Sequence, residues 1–121
     1  MAEHYDFGKK AENEAVTYLK QNGYEILERN YYFQKAEIDI IAKVDSTLVI
    51  VEVKARSSRY FQEPEEAVNK KKRGLLIAAA DDYVTRHNLD ENVRFDIISI
   101  LKEKSGELKI NHIQNAFDSI E

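Results

Sequence analysis

Cysteine is absent from the 121 residues, which rules out a disulfide framework and any thiolate-held zinc or iron–sulfur centre. The same absence fits a reducing cytoplasm. No apolar run approaches the roughly 20 residues that a membrane span needs. Met1–Lys10 is polar and lacks the apolar core of a secretory signal. A soluble, cytoplasmic protein with no membrane association is therefore expected. Proline occurs once, at Pro64, and there is no repeat, low-complexity tract or Gly/Ser/Pro-rich linker. Nothing divides the chain, so one domain spanning residues 1–121 is expected, long enough to bury roughly two-thirds of its unfolded surface.

An excess of basic charge is also missing. Eighteen Lys and Arg face 22 Asp and Glu, for a net charge of −4 and a sequence pI near 5.5. Proteins that coat nucleic acid rely on many Lys and Arg contacts to phosphate, so coating is excluded and only a local basic patch can act. Two clusters qualify: Lys54, Arg56 and Arg59, and the run Lys70, Lys71, Lys72 and Arg73. A four-residue basic run reads equally well as a solvated helix face.

What is present reads as a mixed α/β chain. Asp6 to Asn22 has helical periodicity and stops at Asn22-Gly23. Tyr24 to Tyr32 is extended, and Glu37–Lys43 and Leu48–Lys54 are two clearer strands separated by a turn at Asp45-Ser46. Pro64, followed by Glu65 and Glu66, is placed to open a long helix running to about His87. Arg94–Leu101 forms a fourth strand and Leu108–Ile113 a short fifth. Helix, three strands, helix, strand is not a regular βαβ repeat.

Charges interrupt this pattern where apolar residues belong. On Leu48–Lys54 both faces are apolar until Glu52 and Lys54. In the preceding strand Glu37, Asp39 and Ile41 share one face, and Ile38, Ile40 and Ala42 the other. With Asp45-Ser46 as a two-residue loop, Val44 faces Thr47, Asp39 falls opposite Glu52, and Glu37 falls opposite Lys54. Opposed carboxylates repel, and a hard cation between them converts that repulsion into binding. Salt bridges between Glu37 and Lys54 and between Glu52 and Arg56 are the ordinary alternative. On the first helix the apolar arc contains Phe7, Ala11, Ala15, Val16, Tyr18 and Leu19, and Glu12 falls inside it. An inward carboxylate needs a partner or a metal.

Asp39 followed thirteen residues later by Glu52-Val53-Lys54 resembles the PD-(D/E)XK motif of the restriction-endonuclease-like superfamily. The element order is similar to that superfamily's αβββαβ core, a single three-layer domain. More narrowly, the chain resembles the YraN-like family of small bacterial proteins. The resemblance lies in Gly8 with Glu12, Glu37–Ala42, Val51–Arg56, Pro64 to Lys72, Arg94–Ile98 and Asn115–Phe117. Ile38 stands where the superfamily name has proline, and Ala36 stands where family members commonly have glycine.

The resemblance implies a Mg²⁺- or Mn²⁺-dependent endonuclease, with Asp39, Glu52 and Glu12 as metal ligands and Lys54 as the catalytic lysine. It implies phosphodiester hydrolysis in nucleic acid, DNA foremost, of the kind found in repair and recombination by Holliday-junction resolvases. Arg56 and Lys72 are candidate phosphate contacts, and Glu37 is a candidate support for Lys54. A nucleic-acid-binding module without cleavage and a protein-interaction scaffold remain the alternatives. A homodimer or a protein partner is compatible with each.

Overall fold

The computed structural model describes residues 2–57 and 68–118. Helix α1 spans Ala2–Gln21 and is followed by strands β1 (Glu25–Phe33), β2 (Ala36–Val44) and β3 (Thr47–Ser57). Helix α2 (Lys70–Arg86), β4 (Asn92–Lys102) and β5 (Leu108–Phe117) complete it. The strands form one mixed sheet in the order β1-β2-β3-β4-β5. All neighbours are antiparallel except β3 and β4, which are parallel and joined through α2. The expected mixed α/β class and the order of elements are what is found.

Helix α1 ends as the Asn22-Gly23 signal predicts. Gly23 takes a left-handed φ of 85°, its N–H donates to Lys20 O, and Tyr24 N–H donates to Leu19 O. This paired closure satisfies two carbonyls of the last turn and needs a residue without Cβ strain at Gly23. Ala11, Ala15, Val16 and Leu19 then pack with Ile40, Ala42, Val49, Val51, Ile98 and Ile100 on one face of the sheet. On the other face α2 buries Leu76, Ala79, Ala80 and Tyr83 against Ile38, Ile41, Ile50 and Ile97. The sheet is thus a buried layer between two helices, as its apolar strands require.

Two boundaries differ from the expectation. The second helix begins at Lys70, because Asn69 caps it: the Asn69 Oδ1 accepts the Lys72 N–H at 2.9 Å. Pro64, Glu65, Glu66 and Arg59 lie outside the described residues. Strand β5 continues four residues past Ile113, to Phe117, whose ring stacks on Phe95 at 4.9 Å. A bulge hides this extension, since the register shifts between Phe95 and Ile97 and Asn115 adopts φ 53°.

Asp96 closes that bulge. Fully buried, it accepts the Asn115 N–H at 3.0 Å, two bonds from Arg94 at 2.9 and 2.8 Å, and His112 Nε2 at 2.7 Å. A carboxylate only accepts, so His112 Nε2 carries a proton. The other ring nitrogen, Nδ1, lies 3.0 Å from the Tyr18 hydroxyl, and Arg94 also donates to the Tyr24 hydroxyl at 2.8 Å. One side chain thereby ties α1, the start of β1, β4 and β5. Burial pushes the Asp96 carboxyl up, but the His112, Arg94 and Asn115 donors outweigh it and hold the carboxyl below its ordinary value of 3.8.

The sign follows from linkage. A depressed carboxyl contributes stability that is present above 3.8 and lost as pH falls below it. Asp96→Ala should cost about 3 kcal/mol at neutral pH, because buried donors are left without an acceptor. Asp96→Asn should flatten the acid limb of stability. Denaturant titrations across the acid range check both, and an unchanged acid limb would show that Asp96 is not the group responsible.

Candidate functional site

The site forms where β2 and β3 part. Asp45 takes φ 52° in the two-residue loop, Val44 pairs with Thr47, and the ladder continues through Ile40–Val51. That is the register expected from the loop. One step further the backbone pairing stops, and the Asp39 carboxylate accepts the Val53 N–H at 2.8 Å instead. A side chain has replaced a backbone partner, so the strands fork there. β3 stays straight because its other edge remains paired with β4, Glu52 opposite Ile97 and Lys54 opposite Ser99.

The expected alternation along β2 fails at this point. Ile38 packs with Ile41 on the α2 face, whereas Ile40 and Ala42 pack on the α1 face. Opposite this point on β1, Asn30 has φ 53° between the pairs Arg29–Ile40 and Tyr31–Ile38. The Asn30 side chain donates to Glu37 Oε2 at 3.2 Å and to Glu12 Oε1 at 3.3 Å. Tyr32 also bonds Glu37, which raises the phenol's pKa. Glu37 therefore does not steady Lys54 as expected. Among the described residues Lys54 instead meets Glu52, with Nζ 3.6 Å from Oε2.

Glu52 is the centre of the arrangement. Its side chain is 4% exposed, and its Oε2 also contacts Lys72 Nζ, which α2 delivers from its first turn. Its Oε1 is buried without a hydrogen-bond partner among the described residues. The alternative Glu52–Arg56 bridge does not form, and Arg56 Nε and Nη1 are buried with no hydrogen-bond partner among the described residues. Burial, then the charge of Glu52 and a hydrogen bond to it, raise the Asp39 carboxyl from 3.8 to about 8. For Lys54, burial and the neighbouring Lys72 lower the ammonium's pKa despite Glu52. Lys72 is desolvated too, yet its contact with Glu52 prevails and raises it.

Glu12 stands at the margin. Its carboxylate lies 3.7 Å from Arg29 and reaches Asp39 through charge alone. Among the described residues no group of three or more carboxylates or imidazoles converges tightly enough to hold a metal ion by itself. The structure thus brings together Asp39, Glu52, Lys54 and Lys72, with Glu12 and Arg56 on the periphery. Sequence reasoning missed Asn30, whose left-handed backbone only the fold reveals. Lys72, expected as a phosphate contact, also pairs with Glu52, a contact the sequence did not indicate.

A raised carboxyl has a testable consequence. In the folded protein Asp39, beside Glu52, holds its proton up to about pH 8, whereas an unfolded aspartate releases it near 3.8. Between these values the native state binds more protons, so stability falls as pH rises through that window. With EDTA present, the wild-type protein should lose stability from the acidic to the alkaline end of this range. Asp39→Asn should show a flatter profile and equal or greater stability at the alkaline end. Parallel profiles for the two proteins would mean that the pair is not strained.

The sequence model described as "Uncharacterised protein family UPF0102" matches residues 11–100. A UPF0102 protein of Christiangramia forsetii is 53% identical over 117 residues, covering 97% of this chain and 98% of its own. One from Flavobacterium psychrophilum is 51% identical over the same coverage, and one from Bacteroides thetaiotaomicron is 47% identical, covering 97% and 96%. Matches of this extent place the chain in a family: it belongs to UPF0102, the YraN-like proteins.

Proposed function

We propose that this protein is a divalent-metal-dependent nuclease of the restriction-endonuclease-like type, hydrolysing phosphodiester bonds in nucleic acid, with DNA as the expected substrate. The observation that carries the reading is Glu52: a carboxylate 4% exposed, with one oxygen unpartnered among the described residues, set against a second, half-buried carboxylate at Asp39. A buried oxygen without a partner costs about 1–3 kcal/mol or more when charged. Two carboxylates that must otherwise share a proton suit a hard cation. The donor set fits Mg²⁺ or Mn²⁺ held by Asp39 and Glu52, with Glu12 near enough to act through charge. When bound, such an ion polarises a phosphoryl oxygen and makes water a better nucleophile at neutral pH.

The remaining steps belong to the chain. Lys54, 3.6 Å from Glu52, is placed to orient the attacking water and neutralise charge growing on the phosphorane-like transition state. Its lowered pKa leaves it a readier proton partner than an exposed lysine. Lys72 contacts the same Glu52 oxygen as Lys54, and a phosphate entering the fork would compete for its ammonium. Arg56, near the end of β3, carries a guanidinium whose fork geometry and charge suit phosphate oxygens.

A second reading, a nucleic-acid-binding module without cleavage, is favoured by one observation. Lys72 already sits on Glu52 Oε2, so the carboxylate has a counter-charge without any metal. Metal titration separates the two. Mg²⁺ or Mn²⁺ at about a hundredfold over its Kd should stabilise the wild-type fold by about 2.7 kcal/mol, visible as a higher Tm. Asp39→Asn should lose that response. Lys54→Ala should keep it and lose cleavage, because the lysine acts on water and charge rather than on the ion. A wild-type Tm indifferent to metal, or a Lys54→Ala variant that cuts at the wild-type rate, overturns the nuclease.

A further inference from the structure

Beside the fork, on the α2 face, lies a cavity of about 260 Å³ between the β1–β2 turn and the first turns of α2. Ala36 and Leu76 are buried and Leu75 is half-buried, so its inner wall is apolar. Its polar lining is Lys35, Lys71 and Lys72 with Asn69 and one carboxylate, Glu37, which is engaged by the Asn30 side chain, so three ammonium groups face one acid. Neither Lys35 nor Lys71 has an ion-pair partner among the described residues, whereas Lys72 reaches across to Glu52. Lys72 is therefore a wall shared by the cavity and the candidate site. The helix terminus itself is not the feature, since the Asn69 side chain already takes the Lys72 N–H. What the cavity offers is an apolar wall with side-chain ammonium groups at its mouth.

That combination matches one nucleotide. A base presents apolar faces, and its phosphate presents negative charge to a lysine rim. The volume lies just below the roughly 300–1,000 Å³ of pockets for drug-sized ligands, so it suits a single base and no larger group. A base within a continuous duplex is stacked and paired, and cannot enter a side cavity without the cost of extrusion. An unpaired base enters with little penalty. The net charge of −4 points the same way, because it opposes the many phosphate contacts through which duplex-coating proteins bind.

We propose that this cavity takes the unpaired nucleotide next to the phosphate held in the fork, so that single-stranded or branched nucleic acid is preferred to continuous duplex. The inference rests on the nuclease-site reading for the position of that phosphate. Its test does not depend on cleavage. The full-length protein is titrated in EDTA against three end-labelled probes: a single strand, the blunt duplex of the same sequence, and that duplex with a single-stranded branch. Anisotropy should show the first and third bound about tenfold more tightly than the blunt duplex, the order of one seated base.

Leu75→Trp, which fills the cavity, should erase the preference while leaving duplex binding in place. So should the exposed pair Lys35→Gln and Lys71→Gln, which keeps the test open if the tryptophan disturbs folding. For the single strand, the pair should also flatten the log–log salt slope by about 0.7 per lost contact. Equal wild-type affinity for single strand and blunt duplex overturns the proposal, and so do variants that weaken both equally. A strand preference that needs the cavity, in a protein that never cuts, would overturn the nuclease and leave the cavity's role standing. Lys54-dependent cutting of blunt and branched duplex at the same rate would do the reverse.

Discussion

A single hydrogen bond, from the Val53 N–H to the Asp39 carboxylate, opens the sheet on which everything else in the site depends. An antiparallel ladder left intact would have carried β2 along β3 and filled the space with backbone pairs. By taking the place of a carbonyl acceptor, Asp39 satisfies Val53 and lets β2 turn away. The gap then admits groups from both sides of the sheet. Glu12 of α1 sends its charge toward Asp39, and Lys72 of α2 contacts Glu52 directly. Because β3 is still pinned by β4, Glu52 and Lys54 sit on a rigid strand rather than a loop, which favours exact placement of reacting groups.

Two aspartates, Asp96 fully buried and Asp39 half-buried, show why a residue type does not fix a role. Asp96 receives four hydrogen bonds on its two oxygens, from Arg94, His112 and Asn115, and they hold its carboxyl below the usual range. Asp39 receives one backbone N–H and faces another carboxylate, so its proton is held to about pH 8. The first is a fully compensated charge that knits the chain. The second is an uncompensated one, which the fold tolerates at a cost and which marks a binding site more often than a scaffold. Both interrupt an apolar strand, and periodicity alone does not separate them.

Much of the fold was legible because it is written in local signals. Gly23 ends α1, Asp45-Ser46 sets a two-residue loop, and the apolar arc of α1 names its buried residues. The register that brought Asp39 beside Glu52 followed from the loop length. What escaped prediction depended on backbone conformations that asparagine supplies without announcing them. Asn30 takes a left-handed backbone beside the break in β2 and engages Glu37, Asn69 caps α2 at Lys70, and Asn115 sits with φ 53° in the bulge of β5. Each is a short amide that tolerates a left-handed or capping geometry, and each reads in the sequence as one more polar residue.

The basic run at the start of α2 shows the same limit in electrostatic form. As a sequence, Lys70 to Arg73 is four equal charges. In the fold successive residues point about 100° apart around the helix, so they are distributed among different tasks. Lys70 is exposed, Lys71 lines the cavity rim, Lys72 compensates Glu52, and Arg73 donates to the Val68 carbonyl and lies over the Phe117 ring at 5.5 Å. A protein with net negative charge cannot rely on a diffuse positive field to gather an anionic substrate. It has to concentrate its few cations where they act. Lys54 and Lys72 are both drawn to one buried carboxylate, so two of these cations meet at the fork itself. A phosphate would meet them only on reaching the place where a metal-assisted reaction would occur.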